Sequence, residues 1–203
     1  MTSEKLLENV TLNYIAMDKF KSNYLSVSFV LPFEKRSAAM NTLIMKVLKR
    51  GTVSYPDMIS LSKKLEYLYS GDIFTKATSF GEVQALSFSI DVLNNRFATD
   101  GTDILGETLK LLGEIIFSPV TENGVFKTSY FESEKRNQLD DISAEINSKG
   151  KYALTRACEN MFENERYRFS ALGDTETVSA FTNEEVYAQF EALFRAIAQF
   201  KAP

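Results

Sequence analysis

The sequence contains no histidine among its 203 residues. Without imidazole the chain has no Ser/His or Cys/His catalytic couple and no zinc site ligated by histidine. It also has no side chain that titrates near neutrality without a large pKa shift. The composition therefore excludes the commonest hydrolytic mechanisms.

A single cysteine, Cys158, excludes an internal disulfide bond. The spacing around it is typical of one apolar helix face, made of Leu154, Ala157, Cys158 and Met161. Free cysteines are often buried in protein cores. We therefore predict a core thiol at this position rather than a catalytic nucleophile.

The chain has no excess of basic residues, because 23 lysines and arginines stand against 27 aspartates and glutamates. A nucleic-acid partner requires cations that neutralise phosphates, so none is expected. No apolar run reaches the roughly 18 residues of a membrane span, and the first residues lack the basic-then-apolar order of a secretory signal. The sequence favours a cytoplasmic protein without a membrane partner.

Apolar residues make up 44% of the chain, enough for a folded core, and the first of them recur at strand spacing. Residues 10–14 and 25–31 alternate apolar and polar side chains, which predicts an antiparallel pair joined by a turn near residues 21–23. Residues 86–92 alternate strongly and residues 71–80 weakly. Serines on the polar side indicate that one sheet face is wet or lines a chamber.

Helical spacing dominates the rest of the chain, in residues 40–48, 58–68, 104–116, 153–161 and from 183 onward, with a charged segment at 124–147. Because strands come before helices without regular βαβ alternation, the sequence predicts an α+β fold. We expect an antiparallel sheet of about four to six strands packed on one side by several helices. Residues 1–203 contain no linker or short repeat and are expected to form one domain.

The order of these elements and several short motifs resemble a known family. Its marks are a helix ending in LKRGT, YP before a helix ending in LEYLYSG, SPV before FESEKRNQLDD, and a late LGDTETV. They are similar to the N-terminal half of a subunit of the M16 family (insulinase and mitochondrial processing peptidase), most of all to bacterial subunits that work as unequal pairs. The resemblance implies the M16 (LuxS/MPP-like) metallohydrolase fold. M16 subunits contain two such halves, so it also implies a fragment, or a short gene product completed by a second half from elsewhere.

Catalytic M16 members carry the motif H-x-x-E-H shortly before a Gly-Thr pair. Positions i, i+3 and i+4 share a helix face, so two imidazoles bind one metal while the carboxylate activates its water. With Gly51 and Thr52 as the anchor, the three positions fall on Thr42, Met45 and Lys46. All three functional groups are missing, and the resemblance implies no catalytic residue, no bound metal and no cofactor.

The family's third zinc ligand is a glutamate on a later helix, and the resemblance places it at Asp141, with Glu134 and Glu145 in the same helix. Asp141 and Glu145 stand at i and i+4 and repel each other unless a cation lies beside them. Lys46 is one candidate for that cation, as a structural surrogate for zinc. The interpretation we favour is a solvated lysine and a solvated acidic face. Met45 is expected to fill a gap in the core.

In the M16 family the substrate peptide lies in a closed chamber and adds to an edge strand of the N-terminal-half sheet. The corresponding strand here is GDIFTKATSF, so the candidate peptide-binding residues are Phe74, Thr75, Lys76, Ala77 and Thr78. Strand addition needs an exposed edge rather than particular side chains, and a subunit without metal can therefore still hold a peptide. The usual Asn-Ala-x-Thr pattern is missing, and Lys76 is alternatively a guard against aggregation.

Four basic residues flank the first helix: Lys35, Arg36, Lys49 and Arg50. They form either a rim for acidic peptides, a partner surface, or helix-terminal charges on an ordinary surface, and we favour the last.

The leading functional hypothesis is a non-catalytic M16-like domain that pairs, as a heterodimer, with a zinc-bearing homologous subunit and completes a peptide-processing chamber. The second is a structural scaffold that associates with itself and handles no peptide. The third, ranked last, is a hydrolase that uses a carboxylate-bound metal; the sequence has no loop of spaced oxygen ligands that fits magnesium or calcium.

Overall fold

The structure, a computed structural model, describes residues 1–195 and their side chains as far as Phe194. Residues 196–203 of the predicted domain lie outside the described residues. The strands are β1 (Thr2–Leu7), β2 (Val10–Tyr14), β3 (Ser22–Pro32), β4 (Asp72–Phe80), β5 (Val83–Leu93), β6 (Thr121–Glu122) and β7 (Val125–Phe126). The helices are α1 (Lys35–Leu48), α2 (Met58–Tyr67), α3 (Ile104–Phe117), α4 (Thr128–Ala144), α5 (Lys149–Met161), α6 (Thr175–Ser179) and α7 (Asn183–Phe190), and a π-helical turn (Glu191–Arg195) follows α7.

The helices pack on one face of an antiparallel sheet whose strand order is β3-β5-β4. Its central strand, β5, buries Leu86, Phe88, Ile90 and Val92 on that face. The predicted α+β class with antiparallel strands is confirmed. Within residues 1–195 the strands are divided among three antiparallel sheets, so the sheet under the helices has three strands rather than the predicted four to six.

The predicted pairing of residues 10–14 with residues 25–31 is wrong. β2 pairs with β1, with Tyr14 opposite Thr2, and β3 pairs with β5, with Val27 opposite Phe88. Residues 22 and 23 belong to β3 itself rather than to a turn. The physical reason is burial: pairing with β5 runs along the whole of β3 and places its apolar row over the core, whereas β2 is exposed throughout.

Helix α1 lies inside the domain, between the sheet and the later helices, with contacts to β4, β5, α4, α6 and α7. Ten of its 14 residues are buried, so it is apolar on most of its circumference, as a helix covered on several sides must be. Leu43, Ile44 and Leu48 are fully buried in the core that α1 shares with β5 and α3. The predicted apolar stripe of this helix is confirmed.

Helix α5 has no buried residue, so the predicted core thiol is wrong. Cys158 is half-buried, while Leu154 and Met161, predicted to share its buried face, are 65% and 76% exposed. The spacing predicted the helix correctly but not its covering, because α5 packs mainly on short helical turns next to it (Glu145–Asn147 and Arg166–Arg168) rather than on the sheet. No helix in the described part of the chain is both long enough and apolar enough to cross a membrane.

Candidate functional site

The three degenerate motif positions lie on α1, at the point where this helix meets α4 and the loop before α6. Met45 is 2% exposed and packs in the apolar core, as predicted for a gap-filling residue. Thr42 is also buried, and its hydroxyl lies 2.7 Å from the carbonyl oxygen of Ala171 and 3.0 Å from that of Ala38. The first motif position is therefore closed by a hydrogen bond to the loop.

Lys46 forms an ion pair with Asp141, the residue that the sequence aligns with the third zinc ligand. The lysine side chain is 22% exposed and the aspartate side chain 56%. The interpretation favoured from the sequence, a solvated lysine beside a solvated acidic face, is therefore wrong for Lys46. The structure brings together two of the predicted site positions and joins them by a charge-assisted hydrogen bond.

A second ion pair joins Arg50, two residues after the end of α1, to Glu134 of α4. Glu134 is 8% exposed, and Arg50 also donates to the hydroxyl of Ser133 at 2.9 Å. Arg50 is thus paired with an anion of the same chain. Lys35 is likewise paired with Asp174, and Arg36 with Glu185. Three of the four flanking basic residues therefore do not form a free rim.

Glu145, predicted to stand beside Asp141 as a like charge, has other partners. It lies in the short helical turn after α4, where it accepts a hydrogen bond from Thr155 at 3.0 Å and lies 3.5 Å from the ammonium group of Lys151. Both partners come from α5. The expected repulsion between Asp141 and Glu145 is therefore relieved by two different cations, one for each carboxylate.

Gln138 is a site residue that the sequence prediction missed. It is fully buried on α4, and its amide nitrogen donates to the carbonyl oxygens of Ala39 at 3.1 Å and Leu172 at 2.7 Å. Its side-chain oxygen has no hydrogen-bond partner among the described residues. Spacing was the available signal, because Gln138 is four residues after Glu134 and three before Asp141, on the same helix face.

The loop that closes this face depends on a glycine. Gly173 has a φ of +81°, and a Cβ atom there would lie 2.6 Å from the Cβ of Ala39 on α1. The next residue, Asp174, caps α6 by accepting a hydrogen bond from the Thr177 amide and pairs with Lys35 of α1 at 2.7 Å. The Lys35 ammonium group, and then the Thr177 amide, lower the pKa of Asp174 to about 2.

The residues present do not fit the zinc ion of catalytic M16 members. A zinc site requires three or four nitrogen, sulfur or carboxylate ligands around an electron-poor centre. Here a hydroxyl, a thioether in the core and an ammonium group hold the three motif positions, and the ammonium group is bonded to the remaining carboxylate. Within residues 1–195 no group of three or more Cys, Asp or Glu side chains is close enough to hold a metal ion.

The candidate peptide-binding strand, β4, is an edge strand of the three-stranded sheet among the described residues. On the face away from the helices it presents Phe74, which is 49% exposed, Lys76, which is exposed, and the half-buried Thr78. Thr75 and Ala77 are half-buried on the helix side, where Ala77 packs against the core. The structure provides the edge that strand addition requires, and peptide binding there stays a prediction.

No family model matches the chain. Its sequence is 29% identical over 183 residues to a Bacillus subtilis (strain 168) protein named "Probable inactive metalloprotease YmfF", a match that covers 90% of this chain and 43% of the relative. A conserved protein from Enterococcus faecalis V583 matches in structure with a TM-score of 0.88 at 23% identity, over 95% of this chain and 45% of that one. The peptidase M16 inactive domain from Pseudomonas fluorescens matches with a TM-score of 0.67 at 15% identity, over 93% of this chain and 42% of that one.

The chain thus spans less than half the length of these relatives. The structural matches show that the chain shares the fold of these proteins. The match to the Bacillus subtilis protein shows a similarity in sequence as well. The chain therefore has the fold of M16 peptidase domains, is similar in sequence to a protein named a probable inactive metalloprotease, and contains none of the histidines of the catalytic zinc motif.

Proposed function

We propose that this domain is the non-catalytic member of an M16-type pair, in which a homologous subunit supplies the zinc ion and both line a peptide-processing chamber. The observation that carries the proposal is the ion pair between Lys46 and Asp141. At the position that the resemblance assigns to the metal, it provides a positive charge from the chain itself, which holds α1 and α4 together without a metal ion. A domain built in this way keeps the shape of a peptidase half and loses its chemistry.

Two further features support a role beside an active subunit. The relative from Bacillus subtilis is named an inactive metalloprotease, and the β4 edge is open within the described residues. A homologue with an intact H-x-x-E-H motif contributes the metal and the activated water, which Thr42, Met45 and Lys46 cannot provide. This domain then contributes only part of the chamber surface and the edge of its sheet.

The test is to purify the chain with and without a homologue that is encoded beside its gene and carries H-x-x-E-H. Native mass spectrometry should show a one-to-one complex, and peptide cleavage that a chelator stops should require that complex. The matched control is the homologue with its motif glutamate changed to glutamine, which should still pair but not cleave. Cleavage by this chain alone, loaded with zinc, would contradict the proposal.

A scaffold that associates with itself is the second candidate, because β3 and β4 are both edge strands among residues 1–195. In the same experiment, a stable homodimer that ignores the homologue would favour the scaffold. The carboxylate-metal hydrolase has no supporting cluster in the described part of the chain. Stoichiometric metal held by the native chain through dialysis would restore that candidate.

A further inference from the structure

We propose that the β4 edge binds β4 of a second copy of this chain, antiparallel, with a two-fold axis at Phe74. The surface is the outward face of residues 72–76, formed by Asp72, Phe74 and Lys76. This inference deepens the second candidate function, self-association, by naming the strand, register and residues, and it does not depend on pairing with a zinc-bearing homologue.

The first argument is the charge pattern along the edge. Asp72, Phe74 and Lys76 alternate along β4, so they point to the same face of the sheet, the face opposite the helices. In an antiparallel pair centred on Phe74, Asp72 of each copy lies opposite Lys76 of the other, and the two phenyl rings meet at the axis. Opposite charges and aromatic pairs in these positions stabilise a sheet.

The second argument is an unrelieved repulsion inside the monomer. Asp72 lies directly opposite Asp91 of β5, and both are exposed. Like charges that face each other across two strands destabilise the pair. Neither carboxylate has an ion pair among residues 1–195. In the proposed dimer, Lys76 of the second copy lies beside Asp72 and supplies the missing positive charge.

Lys76 itself also lacks an anion within the described residues, since its neighbour across the ladder is Ser87. Phe74 is 49% exposed and lies opposite Ser89. A second copy therefore gives a partner to each of the three outward side chains. An unrelated extended peptide would have to carry an acidic, an apolar and a basic residue at the same alternate positions, in the same order that β4 itself has.

Charge also selects the register. If the axis passed through Lys76, the two ammonium groups would meet, and an edge lysine would then prevent pairing, as it does in many edge strands. The pairing cannot extend much further toward the N-terminus, because Tyr69 and Ser70 leave the extended conformation with φ of 60° and 61°. The interface is consequently a short ladder that depends on its two charge pairs.

The test uses analytical ultracentrifugation of the 203-residue chain and of two charge reversals, Asp72→Lys and Lys76→Asp. Either reversal turns both intermolecular pairs into like charges, and the dimer Kd should rise about tenfold or more. The double variant Asp72→Lys/Lys76→Asp should restore the dimer. A mixture of the two single variants should form a heterodimer, because the unlike charges then face each other.

Asp140→Lys and Lys63→Asp are the matched controls, since they change the net charge equally at exposed positions on α4 and α2. They should leave the Kd unchanged. The proposal is overturned if the chain stays monomeric at about 0.1 mM, near the weak end of specific association. It is also overturned if both reversals leave the dimer intact, or if the mixture fails to recover it. Pairing with a zinc-bearing homologue is measured separately, so either proposal can fail while the other stands.

Discussion

The contact between α1 and α4 and the free edge of β4 lie in one domain but satisfy their polar groups differently. On and just after α1, Lys46 and Arg50 each pair with a carboxylate of α4, and Thr42 donates a hydrogen bond to the loop before α6. Along the edge, Asp72 and Lys76 meet no opposite charge within residues 1–195. The difference teaches that the polar groups of the candidate site are satisfied within the chain, whereas the charges of the sheet edge are not.

The largest expected change comes from reopening the closed side. We expect Thr42→His/Lys46→His to bind zinc, because two imidazoles at i and i+4 would face the carboxylate of Asp141. Met45 is left unchanged, since a glutamate there would be buried in the apolar core. The measurement is the zinc content after dialysis, which should rise from none to about one per chain.

The control for this variant adds Asp141→Asn, which should weaken zinc binding by removing the third ligand. If Thr42→His/Lys46→His folds but retains no zinc, then Thr42 and Lys46 are not the motif positions. The contact between α1 and α4 would then not correspond to a metal site.

The next largest effect concerns the loop that closes the site. Gly173→Ala should lower the free energy of unfolding by about 3 kcal/mol. The alanine would have to adopt the left-handed backbone conformation of Gly173, and its methyl group would clash with Ala39 on α1. Gly124 has the same φ of +81°, but a methyl group added there would have no atom within 4 Å, so Gly124→Ala isolates the backbone cost, about 1 kcal/mol. Urea unfolding measures both. Equal losses would mean that the loop moves freely away from α1.

A smaller effect is expected from breaking the more buried ion pair. Arg50→Met leaves the carboxylate of Glu134 nearly buried and without a cation, and should cost about 2 kcal/mol of unfolding free energy. Arg50→Met/Glu134→Leu should recover most of that loss, because the uncompensated charge is removed as well. Thermal or urea unfolding measures the set.

The comparison for that pair is Arg36→Met, which breaks an ion pair whose side chains are 49% and 48% exposed. It should cost less than about 1 kcal/mol, since water screens exposed charges. If Arg36→Met is as harmful as Arg50→Met, burial does not explain the strength of the contact between α1 and α4.

The smallest expected effect is the pH dependence of the pair between Lys35 and Asp174. The pKa of Asp174 falls from 3.8 to about 2 on folding, so the pair stabilises the fold above pH 3.8 and this contribution is lost as the pH falls toward 2. Asp174→Asn keeps a side-chain cap for α6 and should cost less than about 1 kcal/mol at pH 7. The cost at about pH 2, where most of this contribution is lost, should be clearly smaller than at about pH 7; an equal cost at both would assign it to the cap.

Much of the fold is visible in local spacing. The apolar stripe of α1, the alternation of β5 and the M16-like order of elements predicted an α+β domain, and the structure confirms it. β1 was missed because TSEKLL has no apolar alternation. The pairing of β3 with β5 was also missed, because its strands are separated by about 60 residues and no local signal encodes such a contact.

The sequence proposed the residues of the candidate site but not the bonds that they form. The structure brings Lys46 and Asp141, two of the candidate motif positions, into an ion pair, whereas the sequence favoured a solvated lysine. Helical spacing shows which residues share a face but not how deeply that face is buried. The same limit explains Cys158, whose helix was predicted correctly and whose burial was not.

By itself the sequence determined that this protein has no imidazole for a zinc site, and that α1 is an amphipathic helix which ends near Gly51. These properties follow from residue identity and from spacing along the chain. Only the tertiary structure decided that Lys46 meets Asp141, that Gln138 and Gly173 close the loop over α1, and that β4 forms an edge. Such contacts join residues that are far apart in sequence, and they depend on which surfaces the fold brings into contact.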